Sequence, residues 1–242
     1  MFPLRDDNPT FRRPVITYSI IAINALVWLV LQGAGTGPAI YESICQYGLI
    51  PAELLNTAPV GTMVPLSNAL ACRIGSSANW FSLISSMFMH GSWFHILSNM
   101  WFLGIFGDNV EDRLGRVQFV VFYLVCGLAA AAAQIALNPS SIVPMVGASG
   151  AIGGVMGAYA ILYPRARVET LLVLGFFITR IGVPAALMLG YWFLLQLLSA
   201  SAAIGGKVGG VAFGAHVGGF LMGIAIAYFF RIKRRPSYWE WE

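Results

Sequence analysis

Apolar residues in this chain fall in long unbroken runs, and the charges gather in the short stretches between them. Six runs approach the roughly 20 residues that a helix needs to cross a bilayer. They lie near 15–32, 86–106, 117–137, 147–163, 182–204 and 211–231. The pattern predicts an all-α, polytopic membrane protein built as a bundle of six transmembrane helices. Residues 1–14 then form a short cytoplasmic N-terminal tail, 15–231 the membrane domain, and 232–242 a cytoplasmic C-terminal tail. Leu171–Ile178 is apolar but too short to span, which suits the membrane interface. The loop from about 33 to 85 exceeds a minimal helix connection and carries Trp80, Phe81 and Leu83. A functional role or partial insertion is expected of it, with Asn68–Ser85 as a re-entrant or interfacial segment.

Orientation follows from the basic residues. Arg5, Arg12 and Arg13 precede the first run, and Arg113 and Arg116 separate the second from the third. Arg165, Arg167 and Arg180 separate the fourth from the fifth, and Arg231, Lys233, Arg234 and Arg235 follow the sixth. Of the fourteen Lys and Arg residues only Arg73 and Lys207 fall on the other side, so both termini are expected in the cytoplasm.

Composition sharpens the class. Hydrophobic residues make up 58% of the chain and charged residues 10%, against about 25% charged in soluble domains. The net charge of +4 comes from clusters at the ends of apolar runs, which mark topology and give no reason to expect nucleic acid. Cys45, Cys72 and Cys126 have neither zinc-site nor redox-pair spacing. Cys126 sits in an apolar run as packing. Cys45 and Cys72 share the outer loop, and whether they pair depends on that loop facing an oxidising compartment. The first run lacks a small-residue cleavage pattern and reads as a retained helix.

All three histidines, His90, His95 and His216, fall in or beside predicted spans. Ionisable groups there are costly and point to function. His95 and Asn99 are four residues apart and share a helix face, whereas His90 lies roughly 140° away around the helix. Ser149 opens the fourth span within Gly147-Ala148-Ser149-Gly150, and Ser149, Gly153 and Gly157 form a bare stripe. The sixth span offers His216, Gly219 and Gly223. Small residues let two helices approach closely in lipid, close enough to bring an imidazole to a serine hydroxyl.

A serine needs a neighbouring base to become a nucleophile, and a neutral His216 supplies one. The oxyanion formed by attack needs donors in place; His95, Asn99 and the Ser149 backbone N–H are the candidates. None of the ten acidic residues sits in mid-span, and Asp108, Glu111 and Asp112 are placed in a cytoplasmic loop. The chemistry is therefore a Ser–His dyad. The paired aspartates of an aspartyl protease and the zinc motif H-E-x-x-H are absent. A proton-transporting channel is unattractive without intramembrane acids, and the histidines leave no obvious axial pair for heme.

The motifs are similar to those of the rhomboid family. His90-Gly91-Ser92-Trp93-Phe94-His95-Ile96-Leu97-Ser98-Asn99 resembles its second-helix signature, and Phe106–Gly115 the pattern that follows. Gly147-Ala148-Ser149-Gly150 resembles its nucleophile motif and Ala215-His216-Val217-Gly218-Gly219 its base motif. The four occur in family order across residues 90–219. The resemblance implies an intramembrane serine protease with Ser149 as nucleophile, His216 as base, and His95 and Asn99 at the oxyanion. His90, Gly147, Gly150 and Gly219 would support the site. It implies single-pass membrane proteins as substrates, cut near the outer face of the lipid bilayer without cofactor or metal. A rhomboid-like protein that binds or escorts membrane clients without cleaving them is the second reading. Two departures stand out. The outer loop lacks the Trp-Arg pair of many members, and Gly153 replaces an aromatic that in some members lies against the base, so another group must hold His216. The short N-terminus, carrying neither an extra domain nor an organelle-targeting peptide, points to a prokaryotic plasma membrane. No oligomeric state follows from the pattern.

Overall fold

The computed structural model describes residues 2–66, 71–75, 77–174, 177–203 and 212–229. Lys207, Arg231, Lys233, Arg234, Arg235, the expected tail 232–242 and Asn68 lie outside them.

In chain order, β1 (Phe2–Asp6) leads into α1 (Val15–Leu26), which continues as a π-helical turn at Val27–Leu31. The loop between α1 and α5 holds α2 (Gly37–Tyr47), α3 (Pro51–Leu54), β2 (Met63–Pro65), β3 (Ala71–Arg73) and α4 (Ser82–Ser85). Then come α5 (Trp93–Leu114), α6 (Arg116–Leu137), α7 (Ser149–Leu162), β4 (Arg167–Leu174), β5 (Phe177–Pro184), α8 (Ala185–Ala203) and α9 (Phe213–Phe229). The apolar runs thus become α1, α5, α6, α7, α8 and α9.

The all-α expectation is corrected by two small antiparallel sheets, one ordered β1-β4-β5 and one pairing β2 with β3. Of Leu171–Ile178, expected to lie at the interface as a short apolar segment, Leu171–Leu174 lies on β4 and Phe177–Ile178 on the antiparallel β5, and the two residues between lie outside the described ones. The N-terminal residues expected as a tail supply β1, with Phe2 opposite Leu171 and Asp6 opposite Val168. Gly182–Pro184, expected to open the fifth span, is the end of β5, so α8 starts at Ala185.

The second helix also shifts. Ser86–Phe88 is a separate 3-10 turn, and Ser92 caps α5 by accepting the His95 N–H at 3.2 Å. At the other end, Asp108, Glu111 and Asp112 lie on α5 rather than in a loop. Glu111 and Asp112 stay helical and buried because the chain entering α1 satisfies them. Glu111 accepts Ile16 N (2.9 Å), Thr17 N (2.7 Å) and Thr17 Oγ1 (2.8 Å), and Asp112 accepts Phe11 N (3.1 Å). The first turn of α1 has no acidic residue of its own, so Glu111 caps it from a neighbouring helix. Gly115, at φ +86°, then turns the chain directly into α6.

At the centre stands α7, buried along most of its length and packed against α5, α6 and α9. Large apolar side chains instead point outward from α1 (Ile23, Leu26), α6 (Val117, Val121) and α8 (Leu187, Leu194). Among the described residues, α6 and the stretch Ala185–Ala202 are long and apolar enough to cross a bilayer, while Val15–Leu31, α7 and Phe213–Tyr228 are shorter apolar helices. In the loop before α5, Cys45 and Cys72 are joined by a disulfide, and Cys126 is buried as a free thiol. The loop reaches the site through Leu49, which exchanges two backbone hydrogen bonds with Met145 (3.0 and 2.7 Å).

Candidate active site

Glycine determines how closely α7 and α9 approach. A Cβ on Gly219 would lie 1.9 Å from the carbonyl oxygen of Gly150, and one on Gly223 1.9 Å from that of Gly154. Gly153 faces the His216 carbonyl, and Gly157 faces that of Phe220. Backbone therefore rests on backbone along both helices, and any larger residue would separate them. The two predicted stripes meet, with Gly150 and Gly154 sharing the seam.

This approach places Ser149, at the start of α7, beside His216 in the first turn of α9. Ser149 Oγ and His216 Nε2 are hydrogen-bonded at 2.7 Å. On the other ring edge, His216 Nδ1 is 2.7 Å from Gln196 Oε1 on α8. The ring is flanked by Trp192, one helical turn before Gln196, with centroids 5.9 Å apart, and by Phe213 at 6.3 Å. These groups occupy the role left open by Gly153.

His95 and Asn99 approach from α5. Gly147 has φ +126°, which favours glycine, and its N–H donates to Ser86 O at 2.9 Å. A Cβ there would lie 2.7 Å from His95 Nε2 and 3.6 Å from Asn99 Nδ2. The two side chains thus converge on the turn just before Ser149. The Gly91 N–H donates to His95 Nδ1 (3.4 Å), which leaves the proton of a neutral ring on Nε2, facing the turn. Asn99 Nδ2 is buried without a hydrogen-bond partner, a donor free for an incoming oxygen.

His90 is fully buried. Its backbone N–H donates to Gln32 Oε1 and its carbonyl accepts Gln32 Nε2, both at 2.8 Å. Its ring packs edge-on against His95 at 5.0 Å, a supporting position. A cavity of about 630 Å³ joins these groups, lined by His95, Asn99, Ser149, Trp192 and His216 and reaching Phe102.

Two contributors were not singled out from the sequence. Gln196 is the only amide in α8, so the rule that drew attention to the histidines also applies to it. Gln32 lies at the end of the first run and gives no comparable signal.

Ser149 and His216 thus share a hydrogen bond inside an apolar helical bundle, beside the unpartnered Asn99 Nδ2. The sequence matches the rhomboid domain family over residues 77–233, and the chain belongs to the rhomboid family, whose members are polytopic membrane bundles. It is 27% identical over 206 residues to rhomboid protease GluP of Bacillus subtilis, covering 85% of this chain and 35% of that protein. Rhomboid-like protein 11, chloroplastic, of Arabidopsis thaliana is 28% identical over 167 residues (65% and 54%). Rhomboid protein 1, mitochondrial, of Saccharomyces cerevisiae is 30% identical over 154 residues (61% and 41%). The chain thus spans between about a third and just over half of the length of these relatives.

Proposed function

We propose that this protein is an intramembrane serine endopeptidase that hydrolyses peptide bonds in or next to transmembrane helices of single-pass membrane proteins. The observation that carries the reading is the 2.7 Å hydrogen bond between Ser149 Oγ and His216 Nε2, in a cavity that also holds His95 and Asn99.

In the reaction, Ser149 passes its proton to His216 Nε2 as Oγ attacks the scissile carbonyl carbon. The carbonyl oxygen becomes an oxyanion, held by His95 Nε2–H, Asn99 Nδ2–H and the Ser149 backbone N–H. The N-terminal end of the α7 dipole adds positive potential there. As the C–N bond breaks, His216 gives the proton to the departing amine and an acyl-serine remains. Water, deprotonated by His216, then attacks the acyl carbon, releases the carboxylic acid and restores Ser149. Gly147, Gly150 and Gly219 supply the close packing this geometry requires, and the scheme uses no cofactor. An intact substrate helix hides its carbonyls in its own hydrogen bonds, so helix-weak segments are the expected targets.

The six apolar helices α1, α5, α6, α7, α8 and α9 are the membrane spans of this reading. The distribution of arginines supports cytoplasmic termini, and a prokaryotic plasma membrane is the location proposed. The test is cleavage of a single-pass test substrate by purified protein in detergent, with Ser149→Ala and His216→Ala beside wild type. Wild-type cleavage lost in both variants is the expected result. Folded wild type that cuts none of several substrates would favour a client-binding protein, and cleavage by Ser149→Ala would refute the mechanism.

A further inference from the structure

We infer that Gln196 is a positioning residue for the base, fixing both the rotation and the tautomer of His216 through its amide oxygen. The inference rests on the dyad reading above and adds to it a third member, carried by α8.

A neutral imidazole holds one proton, on either nitrogen. Only the form protonated at Nδ1 leaves Nε2 free to take the Ser149 proton. An amide oxygen can only accept, so Gln196 Oε1, 2.7 Å from Nδ1, selects the productive form. It also opposes rotation of the ring, because turning Nδ1 away would leave a half-buried donor and acceptor unpaired. Trp192, on the same face of α8 one turn earlier, lies tilted by 34° beside the ring and limits its movement out of plane.

Among the described residues, no other group bonds to the His216 ring. From α7 the ring meets Ser149, and from α5 the titratable group facing it is His95. Against α9, α6 presents Ala129, Ala130, Ala133 and Gln134, and α8 presents Trp192 and Gln196. None of these is a carboxylate. Glutamine suits the site because it orients the ring without burying a charge in an apolar wall. It also ties the base to α8, whose Trp192 lines the cavity, so the position of that helix sets the alignment of the dyad.

The experiment uses the full-length protein in detergent, measuring kcat, KM and pH profiles for wild type, Gln196→Met and Gln196→Glu. Gln196→Met keeps the side-chain length and removes the acceptor. Its kcat should fall about 10- to 100-fold, the loss of one hydrogen bond to a reacting group, with KM little changed. Gln196→Glu places a carboxylate against Nδ1–H and stabilises the imidazolium, so the acid limb of kcat/KM should move to higher pH. Nitrogen-15 NMR of histidine-labelled protein, with only three rings to assign, should find His216 protonated at Nδ1 in the wild type. This readout needs neither cleavage nor a folded variant. An Nε2–H tautomer, an unchanged kcat in Gln196→Met or an unmoved acid limb in Gln196→Glu would each overturn the inference. The dyad reading fails separately, by cleavage that survives Ser149→Ala.

Discussion

The two ends of the bundle use buried polar groups in opposite ways. Helix α7 carries Ser149 at its start and Tyr159 ten residues later, about 15 Å along the axis. Helix α5 carries His95 and Asn99 near one end and Asn109, Glu111 and Asp112 near the other. At the anchor end these groups bind one another and the N-terminal segment. The Tyr159 hydroxyl donates to Asp6, Asn109 Nδ2 donates to Asp6 (3.2 Å) and Asp108 (3.1 Å), and Glu111 caps α1. Trp101 Nε1 donates to Pro3 O at 2.7 Å, which fixes β1 to α5. At the site end, Asn99 Nδ2 is left without a partner and a cavity opens beside it. A polar residue inside an apolar bundle is therefore not functional by itself; what distinguishes the site is an unpartnered donor that opens onto a cavity beside the Ser149–His216 pair.

That contrast can be broken from either side. The largest effect is expected at the site end, where Asn99→Ala removes an oxyanion donor. Its kcat should fall about 100- to 1,000-fold, with thermal stability near wild type because the amide nitrogen has no partner to lose. A stability loss with normal kcat would place Asn99 among the structural groups. At the anchor end, Glu111→Ala strips two α1 backbone N–H groups and the Thr17 hydroxyl of their acceptor. Stability should drop by about 2–4 kcal/mol, read by denaturation in detergent, while the protein that remains folded keeps its kcat.

A smaller effect is pH-dependent. Burial raises the Asp6 carboxyl from 3.8 to about 7, with Asp108 and Asp7 adding to the rise and the Tyr159 hydrogen bond opposing it. Between these values the folded state holds the proton more tightly than the unfolded state. Stability is therefore greatest below the unfolded value and declines as pH rises toward about 7. Asp6→Asn should flatten that decline by up to about 1.4 kcal/mol per pH unit. A wild-type stability curve with no slope in this window would show that burial does not raise the Asp6 carboxyl.

Where the sequence spoke clearly, the signal was local. Continuous apolar runs located the six long helices, and glycines at helical spacing marked the α7–α9 seam on which the dyad depends. The Leu171–Ile178 run was too short for a span, and nothing beside it revealed a hairpin whose strand β4 pairs with Phe2–Asp6, more than 160 residues away. The charges of Glu111 and Asp112 suggested a loop, because the backbone N–H groups that satisfy them come from the chain entering α1. Gln196 was visible as an amide in an apolar helix, but its target depends on how α8 meets α9, which no spacing within α8 encodes. The Cys45–Cys72 pairing likewise depends on the fold of the loop before α5, which brings their Cα atoms to 5.3 Å.

The central claim is that Ser149 is a nucleophile made reactive by His216. Its most direct test is labelling of folded protein with a fluorophosphonate, followed by peptide mapping, for wild type and His216→Ala. The account predicts a single adduct on Ser149 that is lost in His216→Ala and on denaturation. An adduct on another serine, or undiminished labelling of Ser149 without His216, would contradict it.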